Sequence, residues 1–92
     1  MNSDKEDHNL QKRLFNFSVN IVYAIRKLPN TPEYRVITYQ LLKSSSSTAT
    51  NHEESQGAVS KADFCNKIGI SLKEIRESNY WIRLINAISD KP

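Results

Sequence analysis

Lys43-Ser44-Ser45-Ser46-Ser47-Thr48-Ala49-Thr50-Asn51-His52-Glu53-Glu54 is the stretch whose reading decides the fold of this chain. At first sight it is a flexible loop, because each serine lowers helix propensity by roughly half a kcal/mol relative to alanine. Its surroundings argue for a helix. Ile37, Gln40, Ser44, Ser47, Asn51, Glu54 and Ala58 recur at alternating steps of three and four, the spacing of core positions in a helix bundle. A structureless connection from about Lys43 to Val59 would also be longer than compact domains usually hold. On a helix, Ser44 and Ser47 acquire a use: small side chains let backbones approach, and hydroxyls bond back to carbonyls one turn earlier.

The flanks carry matching start and stop signals. Upstream, Thr31-Pro32-Glu33 combines a capping hydroxyl, a proline suited to the first helical position and an acid that complements the helix dipole. A helix therefore starts at about Pro32, carries Val36, Ile37, Leu41 and Leu42 on its apolar side, and meets a possible stop at Gly57. Before it, Leu10, Leu14, Phe17, Ile21, Ala24 and Leu28 form the apolar face of a first helix. Leu28-Pro29 ends that helix, since proline lacks a backbone donor and disfavours helical geometry in the residue before it. Residues 1–9 hold no apolar residue after Met1 and read as a mobile polar tail, leaving 10–92 as one helical domain.

Downstream, Ser60-Lys61-Ala62-Asp63 starts a third helix, with Ser60 as cap and Asp63 where a capping box has Glu or Gln. Phe64, Ile68, Ser71, Ile75, Ser78, Ile82 and Ile85 then step by four and three. Gly69 inside this helix costs about 1 kcal/mol against alanine and marks an expected close helix crossing. Lys73 and Glu77 are spaced to pair on the outer face. Trp81 is expected in the core or a subunit interface, because single-strand binders display several aromatics over a basic groove.

With 92 residues, two glycines and three prolines, the chain is one all-α domain with a modest margin of stability. The lone Cys65 excludes an intrachain disulfide, and His8 and His52 match no zinc-ligand spacing. No membrane span or signal peptide is legible, so the expected compartment is the cytoplasm. The net charge of +3 conceals an asymmetry. Asp4, Glu6 and Asp7 outweigh Lys5 in residues 1–9; Lys12, Arg13, Arg26, Lys27, Arg35 and Lys43 face Glu33 alone in residues 10–50; and residues 51–92 balance. A polyanion would be drawn to the first half of the folded part.

Catalytic constellations fail. His52 precedes Glu53 and Glu54, the reverse of the Glu-x-x-His order of di-metal bundles. The serines lack a glycine-framed sharp turn, no glycine loop cradles phosphate, and Cys65 reads as a small apolar filler beside Phe64. The expectation is a non-enzyme with no metal, no cofactor and no small-molecule substrate.

Phe17-Ser18 with Ile21-Val22, Gln40-Leu41-Leu42-Lys43-Ser44 through Asn51, Glu54 and Gly57-Ala58, and Ser60-Lys61 with Asp63-Phe64 leading to Lys73-Glu74, Glu77-Ser78 and Tyr80-Trp81 together resemble the bacterial four helix bundle proteins often called 23S rRNA-intervening sequence proteins. The likeness covers about residues 10–88. It implies an antiparallel bundle of four helix bundle type, assembled as a ring-like homopentamer, and some relatives are encoded inside insertions in large-subunit ribosomal RNA genes. A related branch engages a reverse transcriptase and nucleic acid, and for most members the role is unknown. The resemblance also places polar side chains at Gln40, Ser44, Ser47, Asn51 and Glu54, where buried groups need partners; these five are expected to bond across helices or subunits and set register.

Three long helices are legible here, whereas the resemblance implies a further one that covers the first and third. Phe64, Ile68, Ile75 and Ile82 are therefore expected to be partly exposed, the chain being truncated or a neighbouring subunit supplying the cover. The expected function is self-association with salt-sensitive binding of structured RNA or DNA through Lys12, Arg13, Arg26, Lys27, Arg35 and Lys43. The alternative is a protein-interaction scaffold whose apolar seam takes a partner helix, with no nucleic-acid role.

Overall fold

The computed structural model describes residues 2–89, with side chains from Asn9 onward. It holds three helices, α1 (Asn2–Arg26), α2 (Pro32–Gln56) and α3 (Lys61–Ser89), and no strand among the described residues. The serine run lies wholly inside α2. Ser45 and Ser46 return hydroxyl bonds to the Leu42 carbonyl at 3.2 and 2.8 Å, and Thr48 to that of Ser44 at 2.9 Å, so polar side chains are satisfied without leaving helical geometry.

The boundaries follow local chemistry. At the end of α1, Lys27 and Leu28 donate to the carbonyls of Ala24 and Ile25, both at 3.1 Å, a tightened last turn ahead of Pro29. Thr31 caps α2, its hydroxyl accepting from the Tyr34 amide at 3.4 Å. Ser60 caps α3 by accepting from the Asp63 amide at 3.0 Å, while Asp63 reaches back to the Val59 amide at 3.2 Å. Gly57 ends α2 with φ −105°, a conformation open to any residue, so the stop does not rest on a left-handed glycine. At the other end, α1 runs back to Asn2 rather than starting near Leu10. No glycine or proline interrupts residues 2–9, and extending an existing helix is far easier than nucleating one.

The short turns make neighbouring helices antiparallel, and α2 is the central element. It packs against both α1 and α3, more extensively against α3, while the backbones of α1 and α3 stay apart. The result is an elongated body of 51 × 23 × 16 Å with a groove between α1 and α3 floored by α2. Around the α1–α2 turn the core is apolar: Ile21, Tyr34, Ile37, Leu41 and Ile85 are buried, with Trp81 and Ile82 packed against them. Burying a leucine such as Leu41 contributes about 1.5–3 kcal/mol. Toward the α2–α3 turn the buried side chains are Ala49 and the polar Ser44, Ser45, Thr48, His52, Ser55, Ser71 and Ser78.

Candidate functional site

Of the five polar seam residues, only Ser44 is buried; Gln40, Ser47 and Asn51 are half-buried and Glu54 is exposed. The buried track runs instead through Ile37, Leu41, Ser44, Thr48 and Ser55, with Ser45, Ala49 and His52 alongside. The seam is therefore rotated by about one residue from its expected place over much of its length. Alternating steps of three and four fit either track. Because α2 has a helix on each flank, it buries a stripe broad enough to contain parts of both.

Contacts across helices are made by a subset. Ser44 and Ser78 share a buried hydroxyl–hydroxyl bond of 2.8 Å, and Ser71 donates to the Thr48 carbonyl at 2.8 Å. Ser18 of α1 sits 3.5 Å from the Ser45 carbonyl. Glu54 pairs with Lys67 at 2.9 Å. That bond, then the nearby Glu54 charge, raises the Lys67 ammonium above its ordinary value of 10.5; partial desolvation opposes the rise and Asp63 adds slightly to it. Asn51 bonds within α2, to the Ser47 carbonyl at 2.8 Å. Ser78 and Ser71 are legible in the third-helix seam, but their α2 partners emerge only with the packing.

Lys12, Arg13, Arg26, Lys27, Arg35 and Lys43 are all exposed, yet they do not form one patch. Lys12 and Arg13 lie about 21 Å along α1 from Arg26 and Lys27, at 1.5 Å per residue. Arg26, Lys27 and Arg35 gather around the α1–α2 turn, where Arg35 donates to Asn30 at 3.0 Å and the Arg26 guanidinium sits 5.4 Å over Tyr23. Antiparallel packing adds Arg83 of α3, which stacks 5.8 Å over Tyr80; nothing in the sequence linked it to the others. The Ser18–Ser45 and Ser44–Ser78 contacts divide the body into halves. The half with the α1–α2 turn holds Arg26, Lys27, Arg35, Lys43 and Arg83 against Glu33, a net of +4. Among the residues from Asn9 onward, whose side chains are described, the other half holds six cations and five acids, a net of +1.

Phe64 and Ile75 are exposed, and Ile68 and Ile82 half-buried, as expected for an uncovered face. Two cavities of about 190 and 320 Å³ lie along the groove. Three local expectations are corrected. Cys65 is exposed rather than a core filler, because it falls one step outside the third-helix seam. A Cβ at Gly69 would meet nothing within 4 Å, so this glycine marks no crossing. Glu77 accepts from the Trp81 indole at 3.1 Å and forms no ion pair with Lys73, while Trp81 itself is half-buried on the core. No helix among the described residues is long and apolar enough to cross a membrane.

The family model described as 23S rRNA-intervening sequence protein matches residues 6–89. The chain belongs to the 23S rRNA-intervening sequence protein family. Among solved structures, it is similar to a protein of unknown function from the S23 ribosomal protein family of Bacteroides thetaiotaomicron, with 36% identity and a TM-score of 0.80. That alignment covers 88% of this chain and 72% of the other. No curated protein matches. The family assignment agrees with the quoted Ser44, Asn51, Glu54 and Tyr80-Trp81 stretches, and the structural likeness extends over the three-helix body.

Proposed function

We propose that this 23S rRNA-intervening sequence family member is a non-enzymatic, self-associating bundle that holds structured RNA at its α1–α2 turn end. The observation that carries the reading is the concentration of charge in that half, where Arg83 joins Arg26, Lys27, Arg35 and Lys43. Exposed arginines held by short contacts, as Arg26 is by Tyr23 and Arg35 by Asn30, lose less freedom when they take up a phosphate. The association of the 23S rRNA-intervening sequence protein family with ribosomal RNA makes structured RNA the polyanion we propose. Self-association is supported by the uncovered groove, and a homopentamer in the cytoplasm is the form we propose.

Fluorescence anisotropy with a structured RNA fragment over a salt series tests the interface. Binding should weaken steeply with salt, the logarithmic slope falling by about one for each phosphate contact removed. The double variant Arg26→Glu/Lys27→Glu should weaken binding far more than Lys12→Glu/Arg13→Glu. No binding at low salt, or equal effects of the two pairs, rejects the reading.

A second reading has its own observation. The apolar groove between α1 and α3 fits a partner helix laid along it, and such binding would be insensitive to salt and lost in Ile75→Asp or Ile82→Asp. Light scattering after size exclusion, with absorbance at two wavelengths, separates the readings. A discrete multimer near five subunits with co-eluting nucleic acid supports the first, and a salt-independent complex free of nucleic acid the second.

A further inference from the structure

We propose that α2 pairs with α2 of a second copy, antiparallel and about a two-fold axis, through the side of the bundle that faces away from the groove. Arg35, Tyr39, Leu42, Ser46, Ala49 and Glu53 follow one another at steps of four, three, four, three and four, the seam of a two-helix coiled coil. None of them lines either groove cavity. The seam is open at its large residues, Tyr39 being 62% and Leu42 40% exposed. Phe15 of α1 widens this apolar surface. It is 58% exposed and stands about two and a half turns before Ala24, which lines the groove, so it lies on the opposite side of α1.

The order of residues along the seam fits another copy as its occupant. Arg35 with Glu53, Tyr39 with Ala49, and Leu42 with Ser46 are three pairs, each centred on Ser44. Antiparallel pairing about a two-fold axis at that level sets every member against its counterpart: Arg35 against the partner's Glu53, Tyr39 over the partner's Ala49, and Leu42 over the partner's Ser46. Ser46 and Ala49 stand low in the surface, half-buried and buried, so a large side chain meets a small one at both apolar contacts. The two-fold axis repeats all three contacts. Parallel pairing would oppose Arg35 to Arg35 and Tyr39 to Tyr39.

Charge points the same way. Antiparallel pairing lays the half of net +4 over the half of net +1 and keeps the two basic ends apart, where like-charge contact would be costly. Within one chain Arg35 and Glu53 are five turns apart, about 27 Å, and cannot meet. Asn30 takes one N–H of Arg35 at 3.0 Å and leaves the other donors of the guanidinium for a carboxylate.

Sedimentation velocity over a concentration series, on the full chain freed of nucleic acid, tests this. The mass should double reversibly, from one copy to two or, where a ring forms through the groove, from five to ten. Arg35→Glu and Glu53→Arg should each weaken the doubling about tenfold, two attractions becoming two repulsions. Both side chains are exposed, so these reversals leave the core untouched. Mixing the two single variants should restore doubling, with native mass spectrometry showing one of each in every pair, and the double variant should restore it alone. Ser46→Tyr should block pairing by filling the place of Leu42. The proposal is overturned by a mass that never doubles, by a mixture or double variant that stays unpaired, or by doubling lost in Ile75→Asp and kept in Arg35→Glu, which would place the contact in the groove. With no RNA present, none of these outcomes depends on the RNA interface proposed above.

Discussion

The two ends of the bundle are built on different principles although α2 runs unbroken through both. Around the α1–α2 turn, large side chains interdigitate: Ile21, Tyr34, Ile37, Leu41 and Ile85 are buried together, and the surface outside them is strongly basic. Toward the α2–α3 turn, the interior is small and hydroxyl-bearing, with Ser44 and Ser45 fully inaccessible and Thr48 and Ser78 1% exposed. The first end gains stability from removing apolar area from water. The second buries little apolar area, and each hydroxyl is tied to a carbonyl or another hydroxyl, so it contributes mainly a unique fit between α2 and α3. Charge and core chemistry thus both change along the same axis.

Substitutions at matched depth break this comparison most directly. Leu41→Ala should cost about 3 kcal/mol in urea unfolding, because it removes buried area where area is what holds the helices. Ser78→Leu adds volume where none is free and should cost about 2 kcal/mol; a neutral or stabilising result would show that the hydroxyl end is loosely packed. The pair Ser44→Ala and Ser78→Ala sharpens the picture, since each should cost about 1 kcal/mol and the double variant less than their sum if the 2.8 Å bond couples them. Gly69→Ala should stabilise by about 0.8 kcal/mol, helix propensity being gained where a Cβ meets open space.

The smallest effect belongs to the Glu54–Lys67 pair. Lys67 is raised above its ordinary value when folded, so its contribution is fully present below the unfolded pKa near 10.5 and is lost as pH rises through the higher folded value. Lys67→Met should cost its full but small amount at neutral pH and nothing once pH exceeds the folded value, so the two stability curves converge in alkali, as expected of a screened surface pair. A large loss at neutral pH would mean that this end relies on charge rather than on hydroxyl packing.

Much of the architecture is legible in the residues. Thr31-Pro32-Glu33, Leu28-Pro29 and Ser60 with Asp63 mark helix ends through contacts at most a few residues apart, and those ends lie where the signals put them. The serine run is helical because its spacing and flanks outweigh its propensity. The phase of the α2 seam was not legible: Gln40 and Leu41, or Ser47 and Thr48, satisfy the same alternation, and only the presence of helices on both flanks selects Leu41 and Thr48. Cys65 and Gly69 were misplaced for a related reason, since exposure and crossing distance depend on a neighbour that local pattern does not specify.

The basic end shows the same division. Arg26, Lys27 and Arg35 are near one another in sequence around a turn, so their grouping is a local fact. Arg83 is more than forty residues away, and only antiparallel return of α3 brings it to that end, while the same geometry leaves Lys12 and Arg13 at the other. The cavity under His52 is likewise a product of three helices meeting. By itself the sequence determined what depends on backbone hydrogen bonding and short-range caps: three helices, the ends marked by caps or proline, and their apolar character. The tertiary structure decided what depends on which faces meet: the seam phase, the charged end, the groove and the buried imidazole, because burial is a property of neighbours and not of spacing.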